Sequence, residues 1–365
     1  MRVLVVNAGS SSLKLRLVEA DDRVAGRADL PAIGRASPDD IAAALADLGP
    51  CDAVGHRVVH GGERFREPVV VDGAVRRALD ELTELAPLHQ PKSLAALDAV
   101  TAAAPDVPSV ACFDTAFHAT LRPEAATYAV PAEWRERYGV RRYGFHGLSH
   151  AYAARRAAEV VGAGGGPTRR IVTCHLGAGV SLAAVAGGRS VDTTMGMTPA
   201  EGPVMATRSG TLDPGAVLLL AEREGGPGPV RETLEQRSGL LGLSALSSDM
   251  RELLQAADEG HETARLAIDV YVHRMRGAVA SMAAAMDGLD ALAFTGGVGE
   301  NSARIREAVC DGLSFLGVEV DSELNAGRGD AVVSPAGVSV GVTVVHAREE
   351  LEMAREARLV LSRAR

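Results

Sequence analysis

Short apolar runs along the chain alternate with longer stretches in which apolar residues recur at helical spacing. Residues 2–6 form a nearly continuous apolar run, residues 7–12 are Asn-Ala-Gly-Ser-Ser-Ser, and residues 13–18 alternate between apolar and charged side chains. This order predicts a strand, a turn and a second strand. The same order recurs at 171–185, where Ile-Val-Thr-Cys-His precedes Leu-Gly-Ala-Gly-Val-Ser and another apolar run. The repeated hairpin indicates two related α/β halves.

Helical periodicity and strand-like runs alternate through the rest of the chain. Further strands are predicted at 291–294 and 338–345, and a glycine-rich exposed loop at 162–167. Helices are predicted near 74–86, 92–104, 148–162, 214–224, 228–237 and 262–287, and from 349 to the end. Such alternation is typical of α/β architecture.

Length, charge and composition restrict the class of ligand. A chain of 365 residues favours two domains with a cleft between them. Its net charge is −9 and its basic residues are scattered, which argues against a nucleic acid or an anionic membrane as partner. The first apolar run is too short for a signal peptide and charges interrupt the long helical stretches, so a cytoplasmic protein is expected. The four cysteines lie far apart, which predicts neither a zinc site nor a disulfide framework.

Three glycine-rich turns each follow an apolar run. In the first, Asn7, Ser10, Ser12 and Lys14 could line a phosphate, because glycine lets backbone amides approach an anion closely. An ordinary hairpin turn is an equally good interpretation of that segment alone, and it is not a Walker A loop. The turns at 175–181 and 295–299 repeat the composition, so one shared nucleotide site is favoured over three unrelated turns.

Polar residues cluster in four segments, at 55–62, 112–118, 143–150 and 205–210. Their arginine, aspartate and histidine side chains are those that phosphoryl transfer uses to spread charge and to position the acceptor. Each one has an alternative: a histidine beside glycine is more often structural, and Arg57 could simply pair with a carboxylate.

Taken together and in order, these segments resemble the acetate kinase family. The resemblance runs from residue 3 to about 356, with a shorter stretch at 15–55, and rests on Val5–Lys14, His56–Gly62, Phe113–His118, Tyr143–Gly147, His175–Gly177, Met195–Gly210 and Phe294–Ser302. It implies an α/β fold of two ribonuclease-H-like domains, of the acetate and sugar kinase, Hsp70 and actin superfamily, closing on ATP. The expected domains are 1–117 with 348–365, and 118–347.

The resemblance also implies roles for individual residues. Arg57 and Arg208 would clamp the acceptor and the phosphoryl group, His146 would donate a hydrogen bond in the transition state, and Asp114 would be the catalytic carboxylate. Asn7 and Glu349 would lie near Mg2+, with Mn2+ as an alternative. Contacts with ATP are expected from Lys14, Ser10, Ser12, His175, Leu176, Gly177, Ala178, Gly179, Asp249, Met250, Arg251, Gly297, Val298, Gly299, Glu300 and Asn301. The methyl group of acetate would lie against Val59, Leu88, Phe145 and Pro199.

Some alternatives and departures stay open at this point. Without the resemblance, residues 249–251 would be interpreted as a solvated helix start. Ala178 and Gln90 stand where the family usually has Asn, which predicts weaker nucleotide contacts or a different phosphoryl donor. The implied reaction is reversible transfer between ATP and acetate in a homodimer; propionate or butyrate kinase, or a non-catalytic ATP-binding switch, are the alternatives.

Overall fold

The computed structural model describes residues 1–9, 12–87, 89–162 and 170–363. The chain divides into two compact units, the first made of 1–119, 145–152 and 348–365, the second of 120–144 and 153–347. The predicted domain boundaries stay a prediction; the first unit takes in 145–152 as well as the two segments expected for the N-terminal domain.

The first unit is built on a six-stranded mixed sheet in the order β3-β2-β1-β4-β6-β5. Strand β1 pairs antiparallel with β2 and parallel with β4, and β4 pairs parallel with β6. The strands are β1 Val3–Ala8, β2 Ser12–Val18, β3 Val24–Pro31, β4 Ala53–Val58, β5 Val69–Val70 and β6 Ser109–Phe113.

The second unit repeats this arrangement, in the order β11-β12-β10-β7-β8-β9. Strand β7 pairs antiparallel with β8 and parallel with β10, which pairs parallel with β12. The strands are β7 Arg170–Leu176, β8 Val180–Ala186, β9 Arg189–Thr193, β10 Ala291–Thr295, β11 Ala331–Val332 and β12 Gly341–Val344. Two mixed sheets of matching order confirm the predicted α/β fold with two ribonuclease-H-like halves.

Helices flank these sheets. They are α1 Pro38–Leu48, α2 Gly73–Glu81, α3 Gln90–Ala103, α4 Pro123–Ala126, α5 Ala132–Tyr138, α6 Gly147–Gly162, α7 Pro214–Arg223, α8 Pro227–Gln236, α9 Gly239–Ser244, α10 Met250–Asp258, α11 Glu262–Ala284, α12 Gly296–Asn301, α13 Ala303–Asp311, α14 Ser322–Asn325 and α15 Glu349–Arg363. No helix within the described ranges has the length and apolarity needed to cross a membrane.

The core of the first unit explains the unbroken apolar run at its N-terminus. Val3 and Val5 pack against Met353 and its neighbours in α15, whereas residues 4 and 6 pack against α1 and α3 on the other face. Because successive strand residues point to opposite faces, a strand covered on both sides must be apolar throughout.

The structure differs from two predicted elements and adds others within residues 15–55. The helix expected over 74–86 ends at Glu81 and continues as a 3-10 turn. The glycine-rich segment 295–299, expected as a turn, instead leads from β10 directly into the short helix Gly296–Asn301. Residues 15–55 contain β3 and α1, and Ser37 and Asp40 form a capping box at the start of α1. The four cysteines are free thiols; Cys112, Cys174 and Cys310 are buried and Cys51 is partly buried.

Candidate active site

Polar residues of the first unit meet where parallel strands end. Asn7 is near the end of β1, Arg57 is the penultimate residue of β4, and Asp114 directly follows β6. The registers Val6 with His56 and Arg57 with Cys112 bring these ends to one edge of the sheet. That edge is where open α/β sheets bind ligands.

Arg57 is held by three hydrogen bonds. Its Nε and Nη2 donate to the two oxygens of Asp114 at 3.0 and 2.6 Å, and its Nη1 donates to Asn7 Oδ1 at 3.2 Å. The Asp114 side chain is 3% exposed and that of Arg57 is 17% exposed. Burial disfavours the charged guanidinium, but Asp114 and Glu349 outweigh it, so the pKa of Arg57 is raised. The bonds use three of five N–H donors, so up to two remain for an anion.

Glu349, the first residue of α15, extends this cluster. Asn7 Nδ2 donates to Glu349 Oε2 at 3.4 Å. Desolvation raises the pKa of Glu349, against the opposing charges of Arg57 and Lys14. A carboxylate oxygen and an amide oxygen are ligands that Mg2+ accepts, commonly through retained waters. The donor set of Asn7 and Glu349 therefore fits a magnesium ion, and a cation would also compensate the desolvated carboxylate.

Lys14 lies opposite Asn7 in the β1–β2 ladder, and the two side chains therefore share one face of the sheet. It is exposed, between Leu13 and Leu15, which are buried. Ser12, also predicted at this turn, begins β2, and its main-chain oxygen accepts a hydrogen bond from Gly9 N at 2.9 Å. Ser10 lies outside the described residues.

His146 sits in an unusual backbone conformation. Its φ is +57°, in the left-handed region that costs a non-glycine residue about 1–3 kcal/mol. The next residue, Gly147, donates its N–H to the main-chain oxygen of Asp114 at 2.8 Å. A Cβ on Gly147 would lie 2.3 Å from that oxygen, so the close approach requires glycine. The loop is thus tied to the segment that carries Asp114.

Two of the glycine turns meet in the second unit. Thr295 pairs with His175 in the parallel β10–β7 ladder, so the ends of both strands are neighbours. Gly177 N donates to Gly179 O at 3.0 Å across the β7–β8 turn. A Cβ on Gly296, whose φ is +79°, would lie 3.0 Å from the backbone of Leu176, so glycine is required at this crossing. Leu176 itself is fully buried, main chain included, so a contact of this residue with ATP stays a prediction.

The Glu300 carboxylate fixes the start of α12, directly after β10. Its Oε1 accepts from Gly296 N at 3.0 Å and from Ala347 N at 2.9 Å. Arg306, 1% exposed, donates to the oxygens of Gly299 and Glu300 at 2.9 and 3.1 Å. These bonds satisfy carbonyls at the end of α12, which explains how a glycine-rich segment forms a helix.

Arg208 lies on a tight turn of the second unit. Met205 N donates to Arg208 O at 3.1 Å, and Ala206 N donates to Ala178 O at 3.2 Å, so the turn is bonded to the β7–β8 turn. Gly239, with φ +63°, passes so close that a Cβ would lie 2.7 Å from Arg208 O. Burial lowers the pKa of Arg208, partly opposed by Glu235.

Comparison with known proteins shows the family of the chain. The model of the acetokinase family matches residues 39–355. A protein of Leifsonia xyli named acetate kinase is 47% identical over 389 residues, covering 97% of this chain and 98% of its own. The chain belongs to the acetokinase family. The solved acetate kinase of Porphyromonas gingivalis is 37% identical with a TM-score of 0.90, covering 99% of both chains. A propionate kinase of Francisella tularensis is 33% identical with a TM-score of 0.89, covering 98% of this chain and 99% of its own.

The remaining predicted ATP contacts of this acetokinase-family chain lie at the start of α10 and in α12. Asp249 is the N-cap of α10: its Oδ1 accepts from Arg251 N at 2.8 Å, and the Arg251 side chain is 88% exposed. Met250 is 3% exposed. Residues 249–251 are therefore a helix start, as the simpler interpretation has it, and a nucleotide contact there stays a prediction. Asn301 Nδ2 donates to Gly297 O at 2.8 Å, within α12.

The two residues predicted to depart from the acetokinase pattern have different structural contexts. Ala178 lies in the β7–β8 turn beside the Arg208 turn, so the lost side chain affects a predicted phosphate contact. Gln90 is fully buried: its Oε1 accepts from His60 N at 3.2 Å, and its Nε2 donates to the oxygens of His60 and Leu79. It supports the main chain around His60, and this gives no reason to expect an altered phosphoryl donor.

The residues predicted around the methyl group of acetate lie in both units. Val59 is 9% exposed and Phe145 2% exposed, and the rings of Phe145 and His60 meet edge to face at 5.5 Å. Both residues belong to the first unit, whereas Pro199 belongs to the second. Leu88 lies outside the described residues.

Sequence reasoning missed the contacts of Glu201, two residues after Pro199. Glu201 accepts a short hydrogen bond from the Tyr128 hydroxyl and a 2.8 Å bond from Arg142 Nη2. Burial, with the bond to Glu201, raises the pKa of Tyr128 to about 12. A Cβ on Gly196 would overlap Glu201 and Tyr128. The contacts join residues far apart in sequence, so no local pattern reveals them.

The second unit also has a cavity of about 360 Å³ between β9, the loop 202–211 and α11. Arg142, Asp192, His273 and Arg274 contribute its charged and titratable groups. Its lining consists of residues outside the predicted site.

Proposed function

We propose that the chain transfers the γ-phosphoryl group of ATP to acetate, giving acetyl phosphate and ADP, and catalyses the reverse transfer. The observation that carries the proposal is the Arg57 guanidinium, held by Asp114 and Asn7 at the strand ends with donors left for an anion. Membership of the acetokinase family, with relatives named acetate kinase over nearly their whole length, supports acetate as the acceptor.

The reaction balances without a covalent enzyme intermediate. An oxygen of the acetate carboxylate bonds to the γ-phosphorus, and the bond from that phosphorus to the bridging oxygen of ADP breaks, its electron pair leaving with ADP. A carboxylic acid is already ionised at neutral pH, so no base need remove a proton from it. Asp114, whose two oxygens both accept from Arg57, then acts by orienting the clamp.

The other groups stabilise the transferring phosphoryl group in this proposal. Arg208 and His146 donate hydrogen bonds to its oxygens, which is the interaction that most lowers barriers of this kind. Backbone amides of the turn at 175–179 and of the helix at 296–301 hold the phosphates of ATP. Asn7 and Glu349 hold Mg2+, which neutralises phosphate charge when bound.

Chain-length preference is proposed to depend on Val59 and Phe145. An apolar wall beside Arg57 would contact the methyl group of acetate, and a branched side chain at 59 leaves less room for a longer acid. Propionate is the second candidate acceptor, because the chain is 33% identical to a solved propionate kinase.

A hydroxamate assay for acyl phosphate, with ATP, Mg2+ and acetate, propionate or butyrate side by side, tests the proposal. Acetate should give the highest kcat/KM. A higher value for propionate or butyrate contradicts the choice of acid, and no acyl phosphate from any of the three contradicts the kinase. ATP binding without turnover is the result expected of a non-catalytic switch. Omission of Mg2+ should abolish turnover.

The homodimer implied by the family is also proposed here, and helix α7 is the surface that suits it. Leu218, Leu219 and Leu220 are 65%, 46% and 40% exposed at consecutive positions of α7, so they present apolar surface around more than half of the helix, which a second copy would cover in part. Leu219→Asp should lower the mass measured by light scattering towards that of one chain; an unchanged dimeric mass would assign the interface elsewhere. A cytoplasmic location stays a prediction.

A further inference from the structure

A buried histidine without an assigned role lies behind the loop that carries His146. His118 is 1% exposed and lies in the 3-10 helix at 116–120. Its Nε2 is 3.1 Å from the main-chain oxygen of Phe145, the residue immediately before His146. A carbonyl oxygen can only accept, so Nε2 carries the proton and donates it.

This bond acts on one of the two peptide groups that define the conformation of His146. The peptide group before His146 is held by His118 through the Phe145 oxygen. The peptide group after it is held by the main-chain oxygen of Asp114 through Gly147 N. Rotations between these two groups are φ and ψ of His146, so the two bonds together maintain its left-handed backbone.

Both anchors come from one segment, 114–118, whose Asp114 side chain also holds Arg57. The ring of His118 meets Phe117 edge to face at 5.5 Å and His150 at 5.6 Å, so packing orients the donor. The segment thereby sets the positions of two groups that the proposed reaction uses, a guanidinium and an imidazole.

We infer that His118 is a positioning residue: its Nε2–H holds the Phe145 carbonyl and so keeps the His146 imidazole directed at the transferring phosphoryl group. The inference rests on the proposed function for its catalytic consequence. The anchoring of the loop does not depend on that function and is measured separately.

Two variants separate the hydrogen bond from the packing. His118→Phe keeps an aromatic ring and removes the donor, whereas the amide of His118→Gln reaches the position of Nε2 and can donate. His118→Phe should lower kcat about tenfold or more with KM for ATP and acetate nearly unchanged, because a misdirected group loses transition-state contacts only. His118→Gln should recover most of that loss. Leu97→Ala, in the core of the same unit, is the control that lowers Tm without lowering kcat.

A double variant and hydrogen exchange decide the mechanism. With His146→Ala already present, His118→Phe should lower kcat by less than about twofold, because the effect passes through His146. An undiminished further loss would overturn the inference. Exchange of the amides at 146–150 should be faster in His118→Phe and unchanged in His118→Gln; equal rates in all three proteins would also overturn it. If the unmodified protein makes no acyl phosphate, the proposed function fails, and the exchange experiment still decides whether His118 holds the loop.

Discussion

Replacing Arg57 by alanine tests the centre of the proposed site. The change removes two charge-assisted hydrogen bonds to Asp114 and one to Asn7, together with the donors left for an anion. We expect kcat to fall by about a hundredfold or more, on the order of 3 kcal/mol of transition-state stabilisation, as when one preorganised donor is lost.

Stability should fall as well, since the Asp114 side chain, which is 3% exposed in the unmodified protein, loses its charged partner. Removing one partner of a buried ion pair costs about 3–5 kcal/mol, and the partial exposure of Arg57 makes this an upper range. Kinetics must therefore be measured at a temperature well below the Tm of the variant. Arg57→Lys keeps the charge but loses the bidentate fork. Its kcat should therefore lie between that of the unmodified enzyme and that of Arg57→Ala.

The chain offers a matched control. Arg76 makes the same bidentate contact with Asp98, at 2.7 and 2.8 Å, on an exposed part of the first unit. Arg76→Ala should change the free energy of unfolding by less than about 1 kcal/mol and leave kcat unaltered. Turnover of Arg57→Ala within about threefold of the unmodified enzyme, at saturating ATP and acetate, would refute the assigned role.

Further predictions follow from other residues. Arg208→Ala should lower kcat by about a hundredfold, measured in the same assay. Lys14→Arg should impair kcat or raise KM for ATP, because a planar fork does not replace a compact ammonium; unchanged kinetics would make Lys14 an ordinary exposed strand residue. Propionate should be used about ten- to two-hundredfold less efficiently than acetate, and Val59→Ala should narrow that ratio by improving propionate. Burial, with Glu352 adding to it, raises the pKa of Glu356 from 4.5 to about 8, so the folded state favours the protonated form and stability should fall as pH rises through that window. Denaturant melts of Glu356→Gln should lack this decline.

The sequence was sufficient for the parts of the fold that depend on local pattern. The two hairpins and the strand at 291–294 are confirmed. They were predictable because a short, unbroken apolar run beside a glycine-rich turn favours a buried strand. The helix at 296–301 was missed, since glycine-rich segments have low helix propensity. It forms because Arg306, from the next helix, binds its last carbonyls.

The candidate site, too, could be predicted from the sequence only in part. Arg57 and Asp114 are recognisable as candidates by type, and parallel strand ends explain why they meet. The anchoring of His146 by His118 and Gly147 depends on a main-chain angle that side-chain pattern does not report. The only sign of this anchoring in the sequence is Gly147, directly after His146. Glycine occurs at many other positions for unrelated reasons, so the sign is not specific.

The two sheets share an arrangement but differ in the chemistry of equivalent positions. Asp114 N donates to Val58 O at 3.1 Å, and Val345 N donates to Phe294 O at 2.9 Å, so each bond extends its parallel ladder by the same step. By this register Asp114 corresponds to Val345 and Arg57 to Ala293, both fully buried. The Arg57–Asp114 ion pair therefore has no counterpart at these positions of the second sheet. There, strand β10 leads into the glycine-rich start of α12, where Gly296 N donates to Glu300. Two strand ends of the same topology thus carry different side chains, which supports the proposal that the first binds the carboxylate and the second binds the phosphates.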